Sequence, residues 1–117
     1  MTGLLTNVSN NVLIIDFQET KILDQEVVDT IGKELADLSK DPMTSKILLD
    51  MNRIELMTSA MIGNFVAFNK KCKEQDVVVK MCNLTSEIAE LFKITRLDSV
   101  FDIHDSRESA MHSFQEH

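Results

Sequence analysis

The chain has 117 residues, 44% of them hydrophobic and 26% charged, which is enough for one domain, 1–117, with a real core and no metal or disulfide staples. Its net charge of −7, from 12 Lys and Arg against 19 Asp and Glu, repels a phosphate backbone and argues against nucleic acid as a partner. No apolar run is long enough to span a membrane and no basic-then-apolar leader is present, so the expectation is a soluble cytoplasmic protein with no membrane contact.

The opening stretch GLLTNVSNNVLIIDFQ reads as two strands joined at Ser9-Asn10, because Asn tolerates the positive φ of a tight hairpin. Asp24 is placed to cap a helix running to about Ser39, with Val28, Ile31, Leu35 and Leu38 on one face. A turn at Asp41-Pro42 leads to KILLDM, a short apolar run that fits a strand buried on both faces. The next helix, from about Ser59 to Gln75, carries Met61, Phe65, Phe68 and Cys72 at helical spacing, with Ile62 and Val66 widening the stripe.

VVVKMC, Val77 to Cys82, is a further strand, and TSEIAELFKI a short helix with Ile88, Leu91 and Phe92 facing inward. Val100 to Ile103 fits a last strand, and Asp105 followed by Glu108 resembles a capping box before a terminal helix carrying Ala110, Met111 and Phe114. The predicted order is β-β-α-β-α-β-α-β-α. It implies an α/β domain with a largely parallel sheet of four to five strands, about four helices and an antiparallel hairpin at one edge.

Chemistry-bearing motifs are sparse. Gly3, Gly32 and Gly63 are scattered, so no phosphate-binding loop forms, and no serine sits in a GxSxG elbow. Cys72 and Cys82, ten positions apart without CxxC spacing, read as buried, reduced thiols. His104, His112 and His117 crowd the last stretch and suggest neither metal nor catalytic roles. Asp50 and Glu55 read as solvated loop carboxylates rather than an acid/base pair. Lys70, Lys71 and Lys73 complement the dipole at the end of the central helix. No metal, cofactor, catalytic residue or enzymatic activity is expected.

The segment ELMTSAMIGNF is the informative one, because Thr58 and Ser59 interrupt an apolar run where a strand gives way to a helix. Ser59 suits an N-cap, its oxygen accepting a backbone N–H. Ligands and partners of open α/β sheets gather outside the carboxyl ends of the parallel strands. That rim is expected to hold Leu23, Asp24, the Met57–Met61 segment and Asn83 to Thr85. The apolar arc of the helix is wider than one sheet contact requires, so Met57, Met61 and Phe68 are candidates to face a partner.

These residues resemble a known family, the STAS domain of bacterial anti-sigma factor antagonists. The resemblance runs from about Val12 to Phe114 and rests on ILDQEVVDTIGKEL, on ILLDMNRIELMTSAMIGNFVAFNKKCKEQ, and above all on VVVKMCNLTSEIAELFKITRLDSVFDIHDSRESAM. It implies the STAS fold and a protein-interaction switch. In that family the central helix opens on an Asp-Ser-Ser-Gly-Leu-Gly type motif, whose first serine is phosphorylated by an anti-sigma factor that is also a serine kinase. Here Thr58-Ser59-Ala60-Met61-Ile62-Gly63 occupies the stretch, which places Ser59 on the phosphoacceptor with Thr58 as fallback. Thr58 replaces the aspartate, Ala60 the second serine and Met61 the first glycine, whereas Ile62 and Gly63 keep the pattern. The lost acidic neighbour and glycine change what a kinase would dock against.

The resemblance implies binding to an anti-sigma factor serine kinase, freeing a sigma factor, with a serine phosphatase to reverse the mark. The partner surface would comprise Leu23, Asp24, Met57, Thr58, Ser59, Met61, Phe68 and Asn83. Two other readings stay open: a STAS scaffold that assembles without being switched, and an enzyme or small-ligand binder using the same rim.

Overall fold

The computed structural model describes residues 3–115, so the expectation for His117 lies outside the described residues. The chain opens with a hairpin of β1 (Leu4–Ser9) and β2 (Val12–Phe17). Its two-residue turn is Asn10-Asn11, one position later than the sequence suggests, with φ of 50° and 68°. Positive φ at both central residues is what such a turn demands, and Asn is the non-glycine residue that accepts it most readily.

After the hairpin, β4 (Lys46–Asp50) runs parallel to β2, β6 (Val78–Cys82) parallel to β4, and β7 (Ile103–His104) parallel to β6. The sheet order is β1-β2-β4-β6-β7. The connections carry α1 (Gln25–Ser39), α2 (Ser59–Glu74) and α3 (Ser86–Ile94), and α4 (Arg107–Phe114) follows the last strand. The expected α/β architecture with a mostly parallel sheet is therefore the observed one. A second, two-stranded parallel pair, β3 (Lys21–Ile22) with β5 (Leu56–Met57), has no counterpart in the sequence reading, because two residues are too few to display a period.

Alternation along the strands divides the interior into two layers. Ile15, Phe17, Ile47, Leu49 and Met81 join Val28, Ile31 and Leu35 of α1, Met61, Phe65, Phe68 and Cys72 of α2, and Ile88 and Phe92 of α3. Phe65 meets Phe17 edge-on at 5.6 Å, and Phe92 stacks on Phe101 at 5.6 Å. Val12, Ile14, Leu48 and Cys82 turn to the opposite face and are covered by Ala110 and Phe114 of α4. α1 and α2 lie close enough that a Cβ on Gly32 would sit 2.9 Å from the Asn64 side chain, whose amide donates to the Val28 carbonyl at 2.8 Å.

Both cysteines are free and buried, as expected. Burial pushes the Cys72 thiol up to about 11. Burial, reinforced by the negative charge of Asp50, pushes Cys82 up to about 12. The end of the chain differs from expectation in two respects. Val100 is exposed and Phe101 belongs to the core, so the last strand is Ile103–His104 rather than residues 100–103. The cap of α4 is Ser106, in a reciprocal capping box with Ser109, rather than Asp105 with Glu108. No helix among the described residues is long and apolar enough to cross a membrane.

Candidate functional site

The start of α2 is pinned from two sides. The Met51 N–H donates to the Cys82 carbonyl at 2.9 Å, which ties the segment after β4 to the end of β6. Glu55 N–H donates to Thr20 carbonyl oxygen at 2.7 Å and Thr58 N–H to Ile22 carbonyl oxygen at 3.2 Å, so the β3–β5 pair sets the start of α2 beside the start of α1. Thr58 makes that bond in an extended conformation, at φ −78° and ψ 164°, and the helix begins at the next residue. The N-cap is accordingly Thr58, its Oγ1 accepting from the Met61 N–H at 3.2 Å.

This corrects the expectation that Ser59 caps the helix. Ser59 is the first helical residue, it is exposed, and its hydroxyl makes no hydrogen bond among the described residues. The first turn of α2 also lacks an acidic residue, so its free N–H groups and dipole meet no nearby carboxylate of their own helix.

The expected apolar docking arc is overturned. Met61 is 0% exposed, Phe68 3% and Met57 6%. Residues 61, 65, 68 and 72 follow the helical period onto a single face, and α2 presses that face against the core, so none of these side chains is available to a partner. The outward stripe is instead Ser59, Ala60, Gly63, Val66 and Ala67, all exposed. A Cβ on Gly63 would meet nothing within 4 Å, so the glycine is not demanded by packing within this chain.

Around this low-relief stripe stand Leu23 and Leu56, about half exposed at 49% and 48%. The register of Ile22 with Met57 brings Leu23 next to Thr58 along the paired strands. Asp24 is exposed and caps α1 by accepting from the Glu26 N–H at 2.8 Å. Asp24, Glu26, Asp29, Lys33 and Asn64 line an open, mainly acidic groove along α1 and α2.

Asn83 is half-buried with φ 57°, and its amide lies 3.3 and 3.4 Å from the two carboxylate oxygens of Asp50. It supports the rim from below. Asp50 is 2% exposed, which overturns its reading as a solvated loop carboxylate, whereas Glu55 is indeed exposed. The Nε and Nη2 of Arg107 each lie 2.8 Å from Asp50 Oδ2, and Nη2 lies 2.8 Å from Asp16 Oδ1. Burial works against the Arg107 charge, but the bonds and charges of Asp50 and Asp16 outweigh it and raise its pKa further. Among the described residues no cluster of His, Cys, Asp and Glu could hold a metal ion.

Residues 4–110 match the profile of the STAS domain family. The chain belongs to that family. BtrV of Bordetella bronchiseptica, assigned as an anti-sigma factor antagonist, is 26% identical over 70 residues, which is 60% of this chain and 60% of BtrV. The chain thus matches less than two thirds of that relative. The anti-sigma-factor antagonist (STAS) domain protein of Planctomyces limnophilus has the same fold, with TM-score 0.84 and 21% identity over 97% of this chain and 98% of that one. The Bacillus cell fate determinant SpoIIAA, in its phosphorylated form, superposes with TM-score 0.71 and 12% identity over 96% and 99% of the two chains.

Within this STAS domain, Arg107 and Asp16 were not singled out from the sequence. One signal was present: VLIID and KILLD each follow an apolar run with Asp, and parallel pairing sets Asp16 beside Asp50. Two carboxylates at one sheet end call for a cation. Which cation answers was illegible, because Arg107 lies 57 and 91 residues away from them. Lys80 was missed for a similar reason. It is 4% exposed, bonds Asp102 at 2.9 Å and places its Nζ 5.1 Å from the Phe114 ring centroid.

Proposed function

We propose that this STAS domain is an anti-sigma factor antagonist that docks on an anti-sigma factor serine kinase through the outward stripe of α2, and that phosphorylation of Ser59 ends the docking. The observation that carries the reading is the division of labour between adjacent hydroxyls. Thr58 holds the cap, which leaves the Ser59 Oγ exposed and unengaged among the described residues. The assignment of BtrV and the phosphorylated form of SpoIIAA support the same reading from outside the chain.

The physics of such a switch is simple. In the transfer, Ser59 Oγ bonds the terminal phosphorus of ATP, ADP leaves, and the hydroxyl proton passes to a base on the kinase. The phosphate adds roughly 1.5 to 2 negative charges. At the start of α2 that charge favours the fold, because unpaired N–H groups and the helix dipole point toward it. Against a partner it acts in the opposite sense, since it sets a hydrated dianion among Ala60, Gly63, Leu23 and Leu56. A serine phosphatase would restore the docking surface.

The test is incubation with the cognate kinase and ATP, followed by intact mass and kinase affinity. One phosphate should be gained by the wild type and none by Ser59→Ala. Ser59→Asp should remain folded and bind the kinase more weakly than wild type. Phosphate uptake by Ser59→Ala equal to that of wild type, or wild-type affinity in Ser59→Asp, would remove Ser59 from the mechanism.

A further inference from the structure

The five-stranded sheet ends in two unlike edges. β7 is two residues long and flanked by the exposed carboxylates Asp102 and Asp105, and a short charged edge resists pairing. β1 is six residues long, LLTNVS, with no charge, no proline and an unbroken register to β2. Residues 1–15 contain no Asp, Glu, Lys, Arg or His, in a chain of net charge −7. None of the usual devices that blunt an edge strand is present on β1.

The hairpin decides which of its backbone groups point outward. In a two-residue hairpin the pair flanking the turn, here Ser9 and Val12, exchanges hydrogen bonds, and bonded and non-bonded pairs alternate from there. Ser9, Asn7 and Leu5 thus turn N–H and C=O toward β2, while Val8, Thr6 and Leu4 turn theirs away. An independent contact agrees: the Leu4 N–H donates to Glu34 Oε2 of α1 at 3.0 Å. Glu34 covers that N–H and leaves Thr6 and Val8, both exposed, with outward donors and acceptors.

We propose that β1 is a self-pairing edge, and that a second copy of this chain adds its own β1 antiparallel across a two-fold axis at Asn7. Thr6 then faces Val8 of the second copy, and Val8 faces Thr6. Each pair exchanges two backbone hydrogen bonds, so every outward group of Thr6 and Val8 is satisfied and the two sheets become one. Moving the axis to Thr6 would require the Leu4 N–H, which Glu34 already holds. The occupant follows from charge and from side chains. Two copies of a −7 chain repel, and a neutral strand is where they can meet at least cost. The β-branched Thr6 and Val8 also make a favourable cross-strand pair with each other. The contact is small and belongs to the weak class of interfaces. It involves β1 alone and does not depend on the role of Ser59.

Sedimentation velocity over a concentration series tests this with wild type, Asn7→Lys and Asn7→Glu. Asn7 is exposed, so both variants should fold, which circular dichroism checks. Wild type should shift from monomer to dimer as concentration rises. Each variant should associate about tenfold more weakly or worse, because like charges face each other at the axis. An equimolar mixture of the two variants should regain the dimer. A wild type monomeric at the highest concentration reached would overturn the proposal, as would a dimer that both variants leave intact, or a loss in both that mixing does not restore.

Discussion

The two faces of the sheet are held by different physics. The face under α1, α2 and α3 is a continuous apolar layer in which large side chains such as Phe17, Phe65 and Phe92 are almost wholly buried. The face under α4 has a much smaller apolar patch, ringed by charges: Asp50 and Asp16 on Arg107, and Lys80 on Asp102. A helix of eight residues has little apolar surface to offer, so it is fixed in place by directed bonds at its first residue instead. The broad layer makes the fold stable, and the narrow one orients the end of the chain against the rim through Asp50.

The largest expected effect breaks the broad layer. Phe65→Ala removes a side chain that is 0% exposed and should cost about 3–5 kcal/mol, read as a fall in the denaturant midpoint. On the other face, Arg107→Met strands the buried Asp50 carboxylate and should cost about 3 kcal/mol. The comparison sharpens if Asp50→Asn is added. The double variant should be more stable than Arg107→Met alone, because a neutral amide needs no counter-charge; equal stability would show that the charge of Asp50 is not what Arg107 answers.

A smaller effect separates the two hydroxyls at the rim. Thr58→Ala should cost about 1 kcal/mol as a lost cap. Ser59→Ala should change stability by less than about 0.5 kcal/mol, as an exposed position away from such features. A reversed order in thermal melts would return the cap to Ser59.

The smallest effect concerns Asp102 and pH. Partial burial pushes its pKa up, but the bond and charge of Lys80, helped by His104, outweigh that and hold it below its ordinary value of 3.8. A carboxylate with a depressed folded pKa contributes stability above its ordinary pKa and loses it as pH falls through the folded value. Asp102→Asn should therefore be slightly less stable than wild type at neutral pH, with the difference closing on acidification below 3.8. The Asp102 side chain is half exposed and the amide oxygen left by the substitution can still accept from the buried Lys80, so the difference stays small. A gap that widens in acid would refute the sign.

The sequence by itself determined the main strands and helices and the α/β class. Apolar spacing in α1, α2 and α3, the β-branched run of β6 and the existence of the opening hairpin, though not the register of its turn, are local features that a local pattern suffices to read. The same holds for the buried thiols and for the family resemblance, carried by contiguous segments. Tertiary structure alone decided the site. Whether Thr58 or Ser59 caps α2 depends on where the helix begins after β5, part of a strand pair too short to show a pattern. Spacing puts Met61 and Phe68 on the helical face of Phe65 and Cys72 but does not say how wide an arc the core covers, and only the packing of α2 showed that it takes in all four together with Met57. Arg107 finds Asp16 and Asp50 across 91 and 57 residues because the sheet brings the two carboxylates into one row, and no local period records so distant a partner.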